Sequence, residues 1–282
     1  AYGSPIPHSI TAKTSAYILP ADAALIRLLQ HYATPFFGQE VFGVWWIGLG
    51  LLIFPTLFIT GWRTVLRTNM HAWPLAVYPG IYFFVFAFAN PLIFRWYLTP
   101  PLPMYFTGIF IGVSNISLQI KKNWINIIAN GIALLLTANA WTLHPDHGPD
   151  RPAPKMAYIK LEGIYREAAG KIRSLLEKGE TLAAGDIGVL GYETGANILD
   201  TVGLISPQSI PYYPLPAESY IINYAIPTDL ILSEEPTYVV VLEVYGRKTF
   251  LADEKFEQTY SKLYSIETDI YGSNGMLIFK RR

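Results

Sequence analysis

Cysteine is absent from the 282-residue chain. Disulfide bonds, thiolate nucleophiles, iron–sulfur clusters and cysteine-ligated zinc are therefore excluded. Charged residues are also scarce, at 15% of the chain, whereas a typical soluble domain contains about 25%. Asp and Glu are missing altogether between Glu40 and Asp146. So long a stretch without an acid indicates that this part of the chain has lipid as its solvent.

The few charges are divided unevenly between the two halves. Residues 1–142 carry seven basic and two acidic side chains, a net charge of +5, whereas residues 143–282 carry fourteen and nineteen, a net charge of −5. This division indicates two compartments, and the acidic second half argues against a nucleic-acid partner. The chain opens without a basic segment and short apolar core, so we expect no signal peptide. A first residue other than Met suggests a processed chain or a piece of a longer one.

Four apolar segments have the roughly 20 residues that a helix needs to cross a bilayer. They comprise residues 41–60, 74–94, 102–120 and 122–143. The predicted fold is a membrane α-helical bundle of about four transmembrane helices, followed by a small α/β extracytoplasmic domain. The predicted divisions are an extracytoplasmic N-terminal segment (1–40), a transmembrane domain (41–143), a Pro-rich linker (144–156) and a soluble domain (157–282).

The predicted orientation follows from basic residues in the short loops. Arg63 and Arg67 follow the first span, and Lys121 and Lys122 follow the third, whereas the loop between the second and third spans contains only Arg95. The more basic loops are expected in the cytoplasm. The N-terminus and the soluble domain then lie outside a bacterial cytoplasmic membrane.

Polar residues without charge occupy the last two spans. Asn126, Asn130 and Thr137 lie near one face at helical spacing, which predicts hydrogen bonds to other helices in the chain or in a partner subunit. A proton or ion path usually needs an ionisable group at membrane depth, and these spans contain none. Pro55, Pro79 and Pro91 fall inside predicted spans, where kinks are a simpler interpretation than a substrate cavity.

The second half has the pattern of a small α/β domain. The spacing predicts helices over 160–178 and 253–270, an ordered surface loop over 206–227, and four strands, which cover residues 186–192, 197–200, 237–244 and 276–279. Strands alternating with helices indicate a mostly parallel sheet with helices packed on it.

Candidate chemistry in this half rests on a few acids and glycines. Asp186, Asp200, Glu193 and Asp229 lie at strand ends or in nearby loops. A pair of them could act as acid and base, although such aspartates more often cap turns through backbone amides. Gly185, Gly188 and Gly191 resemble a phosphate-binding loop, but they are expected to lie along a strand and not at a strand-to-helix turn. We therefore assign no catalytic residue and no cofactor-binding residue.

The sequence contains few residues that could form a metal or haem site. His144 and His147, with Asp146 and Asp150, resemble a metal-binding tract, but no further ligands follow at a suitable spacing. The predicted spans contain no histidine that could hold a haem. The expectation is a chain without cofactor or metal, whose partners are membrane lipids and other integral membrane subunits.

Two stretches carry a family resemblance. Residues 90–103 (NPLIFRWYLTPPLP) resemble the Arg–aromatic–Pro segment of polytopic glycosyltransferases of the GT-C type, similar to family 39. Residues 186–207 (DIGVLGYETGANILDTVGLISP) resemble part of the soluble domain that ends many bacterial members. The resemblance implies the C-terminal half of an enzyme that uses lipid-phosphate sugars. Arg95 would then contact a phosphate or a lipid headgroup, although an interfacial arginine is also a natural membrane anchor.

The chain departs from this family at the position of its essential acid, in the first large extracytoplasmic loop. Asp22 and Glu40 are the only acids before the first predicted span, so no catalytic residue is carried over. Two interpretations remain. The first is a non-catalytic, glycosyltransferase-derived subunit of a larger membrane assembly, such as a respiratory or photosynthetic electron-transport complex. The second is the C-terminal half of a lipid-phosphate-sugar-dependent glycosyltransferase.

Overall fold

The computed structural model describes residues 8–35, 43–119, 121–141 and 157–282. They form two compact units. One unit combines Ala1–Leu19 with Pro154–Arg282, and the other contains Pro20–Ala153. The predicted N-terminal segment 1–40 is thus divided between the two units. The 144–156 linker lies outside the described residues.

The second unit is helical. It consists of α2 (Ala23–Ala33), α3 (Gly43–Thr68), α4 (Trp73–Ala89), α5 (Leu102–Gln119) and α6 (Asn123–Trp141). Among the described residues, Ile47–Thr68 and Met70–Ala89 are long and apolar enough to cross a membrane, and Trp124–Leu135 is a shorter apolar stretch. A helical region with two candidate membrane spans therefore precedes the second half of the chain.

Two predicted span boundaries were wrong. The first helix runs to Thr68, so Arg63 and Arg67 lie in its last turns and not in a loop, since a long arginine side chain can sit at the end of a membrane helix. The second helix ends at Ala89, where Asn90 adopts a left-handed conformation with φ 44°. Pro91 therefore lies beyond the helix, because a residue before proline is disfavoured in helical geometry.

Glycines bring the helices of this unit into backbone contact. A Cβ atom placed on Gly61 of α3 would lie only 2.0 Å from the carbonyl oxygen of Gly108 on α5. A Cβ on Gly112 would similarly lie 2.2 Å from the carbonyl oxygen of Leu57. Gly108 and Gly112 form a GxxxG pair, which permits close helix approach in lipid.

Helix α2 packs into the same unit through hydrogen-bonded aromatic residues. The Tyr32 hydroxyl donates to the Pro79 carbonyl at 2.7 Å, and the Tyr105 hydroxyl donates to the Tyr32 carbonyl at 2.9 Å. Nearby, His31 Nε2 lies 2.9 Å from the Leu98 carbonyl oxygen. Burial lowers the pKa of His31 to about 4, so its imidazole is neutral at physiological pH.

The other unit is built on a mixed five-stranded sheet with strand order β2-β1-β3-β5-β4. The strands are β1 (Thr181–Ala184), β2 (Asn197–Asp200), β3 (Tyr238–Leu242), β4 (Tyr260–Ile266) and β5 (Met276–Arg281). β2, β1 and β3 are parallel, whereas β5 runs antiparallel to both β3 and β4. The predicted mostly parallel sheet is therefore mixed.

Both faces of this sheet are covered. Helices α7 (Ala157–Arg173) and α8 (Ile187–Thr194) cover one face, and Ala168, Ile172 and Leu190 pack there against alternate residues of β1 and β3. The short helices α9 (Thr228–Glu234) and α10 (Glu254–Thr259) cover the other face with the ordered loop 206–227. Buried side chains alternate between the two faces along each central strand, as the pleat requires.

The N-terminal helix α1 (His8–Ala16) belongs to this same unit. Ala12 and Ala16 are fully buried. Tyr17 forms an isolated bridge with Tyr224, and the Ile18 amide donates to the Asn223 carbonyl at 3.0 Å. Two ends of the chain thus form one folded domain, which we call the exterior domain after its predicted location.

Two further element predictions were wrong. Residues 187–194 form α8 and not a strand, because a run this short does not distinguish the two periods. The strand lies just before it at Thr181–Ala184, where alanines have low strand propensity but complete burial favours them. Residues 260–266 form β4 and not a continuation of a helix, since tyrosine and isoleucine there pair with β5. The strands near 197–200, 237–244 and 276–279 are confirmed.

Candidate functional site

The carboxyl ends of the three parallel strands meet at one edge of the sheet. Asp186 follows β1, Asp200 ends β2, and Tyr245 lies three residues beyond β3. The chain passes from β1 through α8 to β2 on one side, and β3 pairs with β1 on the other. The crevice between β1 and β3 is therefore a topological switch point, where α/β proteins commonly bind ligands.

Asp186 is the accessible acid at this edge. It precedes α8 at the N-cap position, yet its side chain makes no capping hydrogen bond. Its Oδ2 instead accepts a hydrogen bond of 2.9 Å from the Tyr165 hydroxyl on α7. Asp186 is exposed, whereas Tyr165 is only 4% exposed. The Asp186 residue is thus exposed at the surface, while its carboxyl group accepts a hydrogen bond from a buried phenol and is partly desolvated by the protein around it.

The environment favours the protonated form of this carboxyl. Desolvation by the surrounding protein raises the pKa of Asp186, and the negative charge of Asp200 raises it further, although the Tyr165 hydrogen bond opposes both. A raised pKa brings an acid closer to the range in which it can both donate and accept a proton. Asp186 is therefore the best candidate for acid–base chemistry in the described part of the chain.

Tyrosines line the edge around Asp186. The ring centroids of Tyr224 and Tyr245 are 5.1 Å apart in an edge-to-face arrangement, and the Tyr224 hydroxyl lies 2.7 Å from Thr201 Oγ1. Burial raises the pKa of both tyrosines, and the negative charge of Asp186 raises the pKa of Tyr245 further. Their hydroxyls therefore stay protonated at neutral pH. The tyrosine neighbours of Asp186 at this edge are therefore neutral phenols and not charged groups.

Asp200 has a structural role in this arrangement. It is completely buried, and its carboxylate accepts hydrogen bonds from the amides of Val202 at 2.9 Å and Ile205 at 3.0 Å. These bonds close the turn that follows β2. Both carboxylate oxygens are engaged by the backbone, so Asp200 is not an accessible partner for Asp186.

The other two acids singled out in the sequence lie elsewhere in the domain. Glu193 Oε1 lies 3.5 Å from Arg166 Nε on α7, in an ion pair between helices. Asp229 is exposed and lines a polar cleft of about 550 Å³ together with Tyr212, Lys248 and Asp253. Asp253 also caps α10 by accepting from the amides of Lys255 and Phe256. The four acids therefore do not form one site.

The glycines do not form a phosphate loop. Gly185 lies at the turn between β1 and α8, so the expectation that these glycines lie along a strand was wrong. A Cβ on Gly188 would meet nothing within 4 Å, whereas one on Gly191 would lie 3.3 Å from Ile198 Cγ1. The acid Asp186 also occupies the helix N-terminus, where the helix dipole would otherwise attract a phosphate.

The candidate packing residues of the helical unit lie on α6. The Asn130 amide donates to Asn126 Oδ1 at 2.5 Å, and the Asn126 amide donates to Ser114 Oγ on α5 at 3.4 Å. The Thr137 side chain lies outside what the structure describes. The same is true of the Arg95 side chain, whose backbone begins a 3-10 turn over Arg95–Leu98.

The predicted metal-binding tract at His144 and His147 lies outside the described residues. Within the described ranges, His, Asp and Glu side chains do not gather in groups of three or more. The predictions of no cofactor and no metal therefore stay predictions.

Sequence reasoning missed the tyrosines at the strand edge and the glycines of the helix crossing. Tyr165 lies on α7 and Tyr245 follows β3, whereas Asp186 follows β1. No local sequence motif therefore indicates that the three residues lie together. The GxxxG spacing of Gly108 and Gly112, by contrast, was readable as a helix-contact signal in an apolar segment.

Comparison with known proteins gives one family match. Residues 157–279 match a family model described as a domain of unknown function (DUF8728). The match begins at α7 and ends within β5, so it includes Asp186, Tyr245 and Asp200 and leaves out α1. No curated protein and no solved structure matches the chain.

Proposed function

We propose that this protein is a non-catalytic, glycosyltransferase-derived integral membrane subunit that packs against partner chains in a larger membrane assembly. In this proposal the helical unit crosses a bacterial cytoplasmic membrane four times. The exterior domain, including α1, lies on the extracytoplasmic side. The helical unit supports the proposed membrane anchoring and subunit association. The family resemblance supports the proposed glycosyltransferase origin.

Two observations support four crossings. They are the lengths of the helices and the fact that the exterior domain is built from two separate parts of the chain. Helices α5 and α6 contain 18 and 19 residues, which at about 1.5 Å per residue is close to the thickness of the hydrocarbon core. They add to the two longer apolar helices. Because α1 and residues 157–282 belong to one folded unit, the chain between them must cross a membrane an even number of times.

The observation that carries the subunit proposal is an unsatisfied amide on α6. The Asn130 Oδ1 atom is buried and has no hydrogen-bond partner among the described residues. Such an acceptor costs roughly 1–3 kcal/mol when it is left without a donor. The Asn130 residue is only half-buried, so a rotation of its side-chain amide presents this oxygen to a donor on a neighbouring subunit's helix, which recovers the cost. The same helix exposes apolar side chains to its surroundings: Ile127, Ile128, Leu134 and Leu135.

The test is association of the full chain after extraction in a mild detergent. The chain should be recovered with other membrane proteins, at a mass far above its own 31.6 kDa. Asn130→Leu should weaken that association by roughly 3- to 30-fold, as expected for the loss of one interhelical hydrogen bond. The matched control is Asn115→Leu, because Asn115 already donates to Thr64 within the chain at 2.8 Å. A wild-type chain that runs as a monomer would refute the proposal.

Asp186 supports a second candidate function, the C-terminal half of a lipid-phosphate-sugar-dependent glycosyltransferase. Glycosyl transfer requires a base for the acceptor, and Asp186 is accessible and has a raised pKa. The test is sugar transfer by the full chain from a polyprenyl-phosphate sugar, with Asp186→Asn as the inactive variant. Transfer that is lost in this variant would replace the subunit proposal.

A further inference from the structure

An apolar groove in the helical unit is lined in part by two arginines. The groove measures about 650 Å³ and lies where the last turns of α3 approach the start of α4. Phe58, Ile59, Leu66 and Met70 supply apolar lining, and Arg63 and Arg67 supply the charged part of the lining. Arg63 and Arg67 are four residues apart on α3 and therefore project from the same side of the helix.

The two arginines have no acid nearby in the sequence. No Asp or Glu occurs between Glu40 and Asp146, and no ion pair of either arginine is found in the described parts of the chain. Both side chains are exposed. Two adjacent guanidinium groups repel each other unless an anion lies between them. Since the helices that carry and flank these arginines contain no acid, another molecule is the natural source of a counter-anion.

The apolar walls distinguish between the anions that could bind. A free phosphate would use the arginines alone and leave the walls uncovered. A phospholipid would use both parts, with its phosphate on the guanidinium groups and an acyl chain along Ile59 and Leu66. Guanidinium groups match phosphate oxygens in geometry and charge, and the groove volume lies within the usual range for ligand sites.

We propose that this groove binds an anionic phospholipid, with Arg63 and Arg67 as the headgroup contacts. The proposal is independent of any partner subunit and of any activity of the exterior domain. It also places the lipid at the end of α3 that is expected to face the cytoplasm. Anionic lipids are enriched there, and basic pockets between helices bind their headgroups.

The test uses the full chain in detergent, with lipid binding followed by native mass spectrometry. Phosphatidylglycerol should bind in preference to phosphatidylcholine. The variant Arg63→Gln/Arg67→Gln should weaken phosphatidylglycerol binding about 30-fold, because each basic residue near an anionic lipid contributes roughly a factor of five. The control Lys121→Gln/Lys122→Gln removes the same charge at a site outside this groove and should change binding less than threefold.

A second variant tests the apolar part of the groove while both arginines are kept. Ile59→Trp should fill the groove and weaken binding of long-chain phosphatidylglycerol, but leave binding of the dihexanoyl lipid unchanged. Equal binding of phosphatidylcholine, or equal losses in the arginine and lysine variants, would overturn the proposal. Displacement of the long-chain lipid by millimolar inorganic phosphate would overturn it as well, since the site would then recognise the anion alone.

Discussion

The buried turn closed by Asp200 should be the most sensitive polar position in the exterior domain. Its carboxylate accepts the Val202 and Ile205 amides at 2.9 and 3.0 Å. Asp200→Ala removes two hydrogen bonds to a charged group and leaves the amide of Val202, a residue only 2% exposed, without an acceptor. Each hydrogen bond to a charged group contributes roughly 1.5–3 kcal/mol, and the amide of the exposed Ile205 can bind water instead, so we expect a loss of about 2–5 kcal/mol in the free energy of unfolding.

Asp253 provides the matched control. It also accepts two backbone amides, those of Lys255 at 2.8 Å and Phe256 at 3.1 Å. These amides lie at the start of a surface helix, where water can replace the carboxylate. Asp253→Ala should therefore cost only about 0.5–2 kcal/mol, as for an ordinary helix cap. Both aspartates accept hydrogen bonds from two backbone amides. The difference between the two losses in unfolding free energy therefore measures the effect of burial.

The measurement is pulse proteolysis of the full chain in detergent across a urea series, with cleavage of the exterior domain as the signal. Tryptophan fluorescence would not report on this domain, because all seven tryptophans lie at or before Trp141. Asp200→Asn should fall between wild type and Asp200→Ala, since an amide oxygen can still accept one bond. Equal losses in Asp200→Ala and Asp253→Ala would refute the assignment of Asp200 as a buried structural acid.

Two further perturbations test the helix crossing and the strand edge. Gly61→Ala should destabilise the helical unit by about 1–3 kcal/mol or more, because its new Cβ would meet the Gly108 carbonyl. Gly131→Ala, where a Cβ meets nothing within 4 Å, should be neutral or stabilising in the same thermal unfolding assay. The raised pKa of Asp186 means that its ionisation opposes folding. The stability contributed by the protonated Asp186 carboxyl is fully present below a pH of about 4, near the pKa of an unfolded aspartate. It is lost as the pH rises through the raised pKa of the folded state. Asp186→Asn should therefore gain stability relative to wild type as the pH rises above about 4, and a difference that does not change with pH there would contradict this sign. Tyr165→Phe removes the bond that favours the ionised form, so it should raise the pKa of Asp186 further in an NMR titration.

Helices with an unbroken apolar pattern were predictable from the sequence. The helix over 102–119 and the strand over 238–242 lie where hydropathy and strand propensity place them, because burial dominates at these positions. The ends of α3 and α4 were less predictable. Arginine side chains at 63 and 67 are tolerated in the last turns of α3, and a left-handed Asn90 ends α4 before its apolar pattern does.

The exterior domain shows where local patterns give the wrong answer. The two alanines of β1 have poor strand propensity, and they lie in a strand because α7, β2 and β3 surround them. Residues 187–194 have a pattern that suits both a strand and a helix, and packing against α7 decides for the helix. The edge site depends on such placements, since Asp186, Tyr165 and Tyr245 come from separate elements. A single sequence identifies the acid but not the tyrosines around it.

The docking of α1 on the exterior domain has a consequence for biosynthesis. The ribosome makes α1 before the helical unit, but its partner residues, such as Tyr224, are made only after that unit. At roughly 5–20 residues per second, synthesis of residues 20–156 takes on the order of 10–30 s. During that time Ala12 and Ala16 have no surface to bury against. The exterior domain therefore cannot complete its folding in step with synthesis, and α1, although made before the helical unit, is among the last elements to reach its final place.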